Sequence, residues 1–340
     1  MLSKVFPKLD LLDLGDFCDR ECNLKGRLKT FRLRNLDVDL PGADNFLTFA
    51  SLNPNLTEIY IQYTAGDIDL NYLSAFAAIP SLRRVFLDPV KCSGLLDGSV
   101  GAISEVESLI FEDLSFEGKP EFLFDLLSNS YCNLKHLKLG FRGVYEEEKD
   151  LIFRLNLPRL ETFALTSDIF NRHSDNLNLR LSAGANFHSC TLFVSAVSAW
   201  SILGKSELNP ESLRYLEVPI PDDIKPVSQQ FDSFICHNCL CLTDLTLHLD
   251  SPTISTKNYV ARVLVENLRS LRRLEVVVIK SQSAPLFESY FVGHRFYKFS
   301  EQLQIKKNFG SQTLQLVYSF RIGQNGVVRL ASGLEDVVGM

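Results

Sequence analysis

Apolar residues recur along the chain in a fixed triplet, in which a second apolar residue follows the first by three positions and a third follows by two more. Eleven such triplets are present, and their first residues lie 19 to 29 positions apart. The first residues are Leu9, Leu28, Leu56, Leu82, Val106, Leu134, Leu160, Phe187, Leu213, Leu242 and Leu271. An interval of this size is the period of a leucine-rich repeat.

The second and third residues of each triplet predict a short strand with one buried face. Leu137 and Leu139, for example, alternate with polar residues, which is the two-residue period of a half-buried strand. One such strand cannot bury its apolar face alone, whereas stacked units share a continuous core. We therefore predict an α/β fold built as a leucine-rich-repeat solenoid of about 11 irregular repeats.

The segments between the predicted strands carry apolar residues at helical spacing. Because helices are wider than strands, the stack is expected to curve into a horseshoe, with the parallel sheet on the concave face and helices on the convex face. The clearest helical segments are Phe46–Leu52, Tyr72–Ile79, Phe122–Leu127, Glu146–Leu155 and Val260–Leu268.

The triplets stop after Ile279, and the last part of the chain follows another pattern. Residues 303–305 and 314–320 alternate between apolar and polar side chains on either side of Asn308-Phe309-Gly310-Ser311, which predicts a β-hairpin. The last strand of the sheet also needs a cover for its edge. We therefore assign residues 1–280 to the solenoid and residues 281–340 to a C-terminal capping region with this hairpin.

The composition and net charge of the chain indicate which classes of partner to expect. The 340 residues are 46% hydrophobic and carry a net charge of −6, so we expect neither nucleic acid nor an anionic membrane surface as a partner. No apolar run approaches the roughly 18 residues of a membrane span. The charged residues within Met1–Leu14 are unlike a secretory signal. We expect an intracellular protein, cytoplasmic or nuclear.

Residues with catalytic or metal-binding chemistry are scattered. Cys236, Cys239 and Cys241 surround a histidine, but a second ligand pair at zinc spacing does not follow them, and His248 is the one further candidate. We expect these cysteines to pack at the end of a helix. The histidines form no nucleophile–base pair in sequence, and no phosphate-binding glycine loop is present. We therefore expect a protein that is not an enzyme and uses no cofactor and no metal.

The strand residues that alternate with the apolar ones are expected to line the concave face. Two groups there combine arginine or aromatic side chains in the manner of interface anchors, and we predict that a protein partner binds to them. The alternative is that they are the scattered aromatics of an ordinary surface. The first group is Arg32, Arg34, Tyr60, Gln62, Arg84 and Phe86 on three adjacent strands, and the second is Phe193 and Tyr215 on two other neighbouring strands.

The triplets, and the prolines that precede several of them, resemble the leucine-rich repeats of the ribonuclease-inhibitor-like group. The likeness is nearest to the repeat region of F-box/LRR proteins and covers roughly residues 5–280. It is carried by Phe6-Pro7-Lys8-Leu9, Asn53-Pro54-Asn55-Leu56, Ile79-Pro80-Ser81-Leu82 and Leu157-Pro158-Arg159-Leu160. The resemblance implies the substrate-recognition region of an SCF-type ubiquitin ligase receptor.

In that family an F-box precedes the repeats and binds a Skp1-type adaptor. Here Met1 lies only eight residues before Leu9, so adaptor binding is expected only if an F-box lies upstream of this chain. A stand-alone leucine-rich-repeat scaffold or inhibitor, unrelated to ubiquitination, is the alternative hypothesis. An enzyme that uses the concave face is disfavoured because no catalytic arrangement is evident.

Overall fold

The structure is a computed structural model with an α/β fold, mostly parallel strands and few helices among the residues that it describes. These residues form parts of two compact units: unit 1 (residues 1–169 and 179–186) and unit 2 (residues 170–178 and 187–340). The described residues are 11–14, 28–34, 51–62, 70–88, 90–93, 103–117, 121–141, 152–167, 178–209, 211–237, 239, 241–249, 253, 255–256, 259–260, 263, 276–281, 303–309, 314–322 and 328–334.

Unit 1 contains a parallel sheet in the order β1-β2-β3-β4-β6-β7-β9. Strand β5 pairs in parallel with the second half of β6. Strands β8 and β10 form a separate two-stranded sheet. The strands are β1 Leu11–Leu14, β2 Thr30–Arg34, β3 Glu58–Gln62, β4 Arg84–Asp88, β5 Val90–Ser93, β6 Ser108–Glu117, β7 His136–Phe141, β8 Ile152–Leu157, β9 Thr162–Ser167 and β10 Asn178–Ala183. The helices are α1 Leu70–Ala77 and α2 Glu121–Ser130.

Unit 2 contains a second run of strands in the order β11 to β17. Each strand from β11 to β15 pairs in parallel with the next. Strand β16 pairs antiparallel with both β15 and β17. Its elements are β11 Ser189–Phe193, α3 Ala196–Lys205, β12 Tyr215–Pro219, the 3-10 turn Lys225–Val227, α4 Ser228–His237, β13 Asp244–Leu249, β14 Val276–Ser281, β15 Leu303–Phe309, β16 Leu314–Ile322 and β17 Val328–Leu334.

The strand register aligns equivalent triplet residues and so builds the core of unit 1. Val85 pairs with Ile59 on one side and with Leu109 on the other, and all three side chains are at most 2% exposed. The third triplet residues form a second buried row, Ile61, Leu87, Phe111, Leu139 and Leu165. The alternation predicted from the triplets is therefore observed in these strands.

Unit 2 repeats this arrangement behind β11, β12 and β13. Leu216 pairs with Cys190 and Leu245, and the three side chains are buried. Trp200 of α3 lies behind the sheet, where its indole N–H donates to the carbonyl of Pro219 at 3.0 Å and its ring meets Phe231 of α4 edge-on. The buried indole thus has the hydrogen-bond partner that it needs.

A side-chain cap stabilises the start of α3, and a buried hydrogen bond connects the end of α2 to α1. The Ser195 hydroxyl accepts a hydrogen bond from the Ser198 N–H at 3.2 Å and caps the start of α3. Tyr131, directly after α2, is fully buried and donates its hydroxyl to the Leu73 carbonyl of α1 at 2.6 Å. This bond ties two consecutive helices of unit 1 together.

Helices α1 and α2 match two of the predicted helical segments, but the predicted helix over Glu146–Leu155 is wrong at its end. Residues 152–157 form strand β8, in which Leu155 and Leu157 are buried while Arg154 and Asn156 are exposed. This two-residue alternation overrides the helical spacing of a few apolar residues. Residues 142–151, and most of the predicted helices Phe46–Leu52 and Val260–Leu268, lie outside the described residues.

The last triplet also differs from its prediction. In the register of β13 and β14, Leu245 aligns with Val277 and Leu247 aligns with Ile279. The triplet pattern would have aligned Leu274 with Leu245, so the pairing occurs three residues later. The β-branched run Val276-Val277-Val278-Ile279 favours a strand at that point.

The predicted hairpin segment contains β15 and β16, which pair antiparallel from Leu303 with Phe320 to Phe309 with Leu314. A further strand, β17, which the sequence pattern did not predict, pairs antiparallel with β16. The division into a solenoid over residues 1–280 and a capping region over residues 281–340 stays a prediction.

Candidate protein-binding surface

The side of the unit 1 sheet opposite the buried triplet residues carries its polar side chains, and we call it the polar face. Its middle row is half-buried and consists of residues that the strand register places side by side. Across β2, β3, β4, β6, β7 and β9 this row is Arg32, Tyr60, Phe86, Ile110, Lys138 and Ala164.

The centre of the polar face is an aromatic pair. The rings of Tyr60 and Phe86 are stacked, with their centroids 4.2 Å apart and their planes 7° from parallel. Ile110 follows in the same row on β6. Three strands at their usual spacing make this apolar strip about 10 Å wide.

Charged side chains border the strip. The Arg84 guanidinium lies 2.9 Å from the Glu58 carboxylate, and 71% of the Arg84 side chain is exposed. An exposed ion pair of this kind contributes little to stability, about 0–1 kcal/mol. Arg84 therefore stays accessible to a partner. Arg32 aligns with Tyr60, one strand further out.

A chain of hydrogen bonds connects the aromatic pair to an acidic side chain at the end of β4. The Tyr60 hydroxyl donates to Gln62 Oε1 at 3.3 Å, and Gln62 Nε2 donates to Asp88 Oδ2 at 3.4 Å. Burial raises the pKa of the Asp88 carboxyl above its ordinary value, as do the nearby carboxylates of Asp113 and Glu112, while the bond from Gln62 lowers it.

The six residues of the first predicted group thus come together on β2, β3 and β4. Arg34 aligns with Gln62 in the register, next to the row that contains Arg32. The structure places these residues side by side, and their role in binding stays a prediction.

The two residues of the second predicted group lie on the neighbouring strands β11 and β12, but not side by side. Tyr215 aligns with Ser189, which is four residues before Phe193 on β11, so the two positions are separated by about 13 Å along the strand direction. Phe193 instead meets the His248 ring edge-on, with 4.5 Å between the ring centroids. These residues therefore occupy opposite ends of the strands.

Glu217 lies between them and was not singled out by the sequence analysis. It is 8% exposed, and its carboxylate accepts hydrogen bonds from the Tyr215 hydroxyl at 2.5 Å and from His248 Nε2 at 2.8 Å. Burial, together with the bond to the Glu217 carboxylate, raises the pKa of Tyr215 to about 12. A glutamate at an alternating strand position is ordinarily exposed, so only the three-dimensional register reveals this cluster.

The cysteine cluster lies at the C-terminal end of α4. Cys239 is fully buried, and burial raises the pKa of its thiol. His237 ends the helix, where its Nδ1 lies 2.9 Å from the Ser233 carbonyl oxygen. Within the described ranges, no group of three or more His, Cys, Asp and Glu side chains could hold a metal ion.

Among the described helices, none has the length and apolar character that crossing a membrane requires. Comparison of the sequence with protein-family models gave no match, and comparison with curated proteins gave no significant match.

Proposed function

We propose that this chain is a leucine-rich-repeat solenoid whose polar face, on the concave side, binds another protein. The observation that supports this most strongly is the stacked pair of Tyr60 and Phe86, half-buried on a sheet face whose other side is the apolar core. Aromatic side chains with nearby arginines are the usual anchors of protein interfaces.

The geometry of the pair also favours binding. Each ring is held against the other and stands on a strand that is hydrogen-bonded on both sides. Ordering a mobile side chain at an interface costs about 0.5–1.5 kcal/mol. Because these rings are already ordered, a partner would lose less of this free energy when it binds here than on flexible side chains.

The biological setting that we propose is the substrate-recognition region of an F-box/LRR-type ubiquitin ligase receptor. This part of the proposal rests on the triplets and the prolines before them. It predicts that the bound protein has a longer half-life in cells from which the chain has been removed. An unchanged half-life would favour the stand-alone scaffold or inhibitor.

The binding proposal is tested by affinity capture with the full chain and with the triple variant Arg32→Ala, Tyr60→Ala, Phe86→Ala. A matched control is the double variant Arg154→Ala, Arg159→Ala, which removes two exposed arginines on and after β8. Proteins captured by the original chain and by the control are expected to be lost from the triple variant, with circular dichroism unchanged. Equal capture by all three chains would refute the proposal.

A further inference from the structure

We infer that the polar face of unit 1 recognises a partner segment that carries a bulky apolar side chain close to a lysine or arginine. The apolar side chain would pack on Tyr60 and Phe86, and the cation would bind the Asp88 carboxylate. This inference rests on the proposed function and names the chemistry of the partner at that same surface.

Asp88 differs from two other carboxylates of the polar face, Glu58 and Glu112, in the charge of its partner. Glu58 is matched by the Arg84 guanidinium at 2.9 Å, and Glu112 is matched by the Lys138 ammonium. The hydrogen bond to Asp88 comes instead from the neutral Gln62 amide, at the long distance of 3.4 Å. Among the side chains that the structure describes, no cation pairs with Asp88, and a cation from a partner would complement its negative charge.

Neighbouring groups strengthen the negative potential at this end of the strands. Asp113 acts on the Asp88 carboxyl through its charge, and Glu112, whose own charge is matched by Lys138, acts on it to a smaller extent. Asp113 stands in the bulge of β6 with a φ of 55°. One strand further on, a side chain in place of Gly140 would come within 3.1 Å of the Glu112 carboxylate. Glycine at this position therefore leaves room for the Glu112 carboxylate next to β7.

The spacing of the two contacts suits a single short segment. Phe86 and Asp88 are two residues apart on β4 and face the same side, so their positions are about 7 Å apart. Two side chains of an extended segment at positions i and i+2 have the same separation, and so do neighbours one turn apart on a helix, at about 5–6 Å. Arg84 lies two residues before Phe86 on β4, across the strip from Asp88, and its charge disfavours the reversed placement of the cation.

The test is a selection of random dodecapeptides, displayed on phage, against the immobilised full chain. The expected peptides contain an aromatic or large aliphatic residue with lysine or arginine within one helical turn. Their affinity is then measured for Asp88→Asn and for the matched control Asp125→Asn, an exposed aspartate on α2. Because Asp88→Asn removes the charge that a partner cation would pair with, it is expected to weaken binding by about tenfold or more.

The outcomes separate the inference from the proposed function. Peptides that lose binding to Phe86→Ala, but carry no basic residue and bind Asp88→Asn normally, overturn the inference and leave the proposed function standing. A selection that enriches acidic peptides, or no peptides, also overturns it. If the peptides bind the Tyr60→Ala and Phe86→Ala variants as tightly as they bind the original chain, the proposed binding surface is wrong.

Discussion

The rings of Tyr60 and Phe86 stack face to face at 4.2 Å because β3 and β4 place the two residues opposite each other in the parallel register. Adjacent residues on one strand point to opposite faces of the sheet, so residues opposite each other on neighbouring strands are the ones whose side chains meet. The pair therefore depends on the register between two consecutive triplets. The two side chains form one continuous apolar contact.

The stacked pair is expected to contribute to stability as well as to binding. In a double-mutant cycle of Tyr60→Ala and Phe86→Ala, we predict a coupling of about 0.5–1 kcal/mol in the free energy of unfolding, the range for cross-strand aromatic pairs. Urea denaturation measures it. The control cycle of Tyr60→Ala with Thr166→Ala, four strands away, is expected to be additive. Equal coupling in the two cycles would argue against the stack.

The buried hydroxyl of Tyr131 is expected to stabilise unit 1. Tyr131→Phe removes the 2.6 Å hydrogen bond to the Leu73 carbonyl and should lower the free energy of unfolding by about 1–2 kcal/mol. The control Tyr60→Phe removes a longer, half-buried bond to Gln62 and should cost less than about 0.5 kcal/mol. Equal urea midpoints for Tyr131→Phe and Tyr60→Phe would contradict the buried placement of Tyr131.

Tyr215 is expected to ionise at unusually high pH. Its pKa is raised from 10 to about 12, first by burial and then by the Glu217 carboxylate. Because the folded pKa lies above the unfolded one, this stabilisation is complete below pH 10 and is lost as the pH rises toward 12. The difference in phenolate absorbance between the original chain and Tyr215→Phe measures the titration, and Glu217→Gln should shift it to lower pH. Ionisation near pH 10 in the folded protein would contradict the cluster.

Two cysteines of unit 2 are expected to resist alkylation in the folded protein. Burial raises the pKa of the Cys190 thiol to about 12, and Cys239 is equally enclosed. Since the thiolate is the reactive form, iodoacetamide at neutral pH should modify both far more slowly than the half-buried Cys132. Peptide mass spectrometry follows each site separately. Equal rates at Cys190 and Cys132 would show that the β11 triplet does not face the core.

The core could be predicted from the sequence because burial of one strand face fixes the side on which every residue lies. Ile59 and Ile61 are buried, and Glu58, Tyr60 and Gln62 are half-buried between them, as the triplet pattern requires. The same pattern does not say which side chains meet across neighbouring strands. The neutral partner of Asp88 and the buried Glu217 both depend on residues 26 or more positions away.

The wrong end of the predicted helix Glu146–Leu155 and the shifted pairing of β14 both occur in short apolar segments. Ile152 and Leu155 fit a helical spacing, whereas Leu155 and Leu157 fit a two-residue spacing, and a segment of this length does not decide between them. Contact with the rest of unit 1 decides the outcome, since Phe153 stacks on Phe124 of α2 with 4.8 Å between the ring centroids. The shifted pairing of β14 arises in the same way, in a continuous run of β-branched residues.

The most direct test of the account is site-specific photo-crosslinking of the full chain in cells. Benzoylphenylalanine replaces Phe86 on the polar face in one chain and the half-buried Phe122 of α2 in the other. A discrete crosslinked protein is expected from position 86 and none from position 122. Crosslinks from position 122 alone, or from neither position, would contradict the claim that the polar face is the surface that binds a partner.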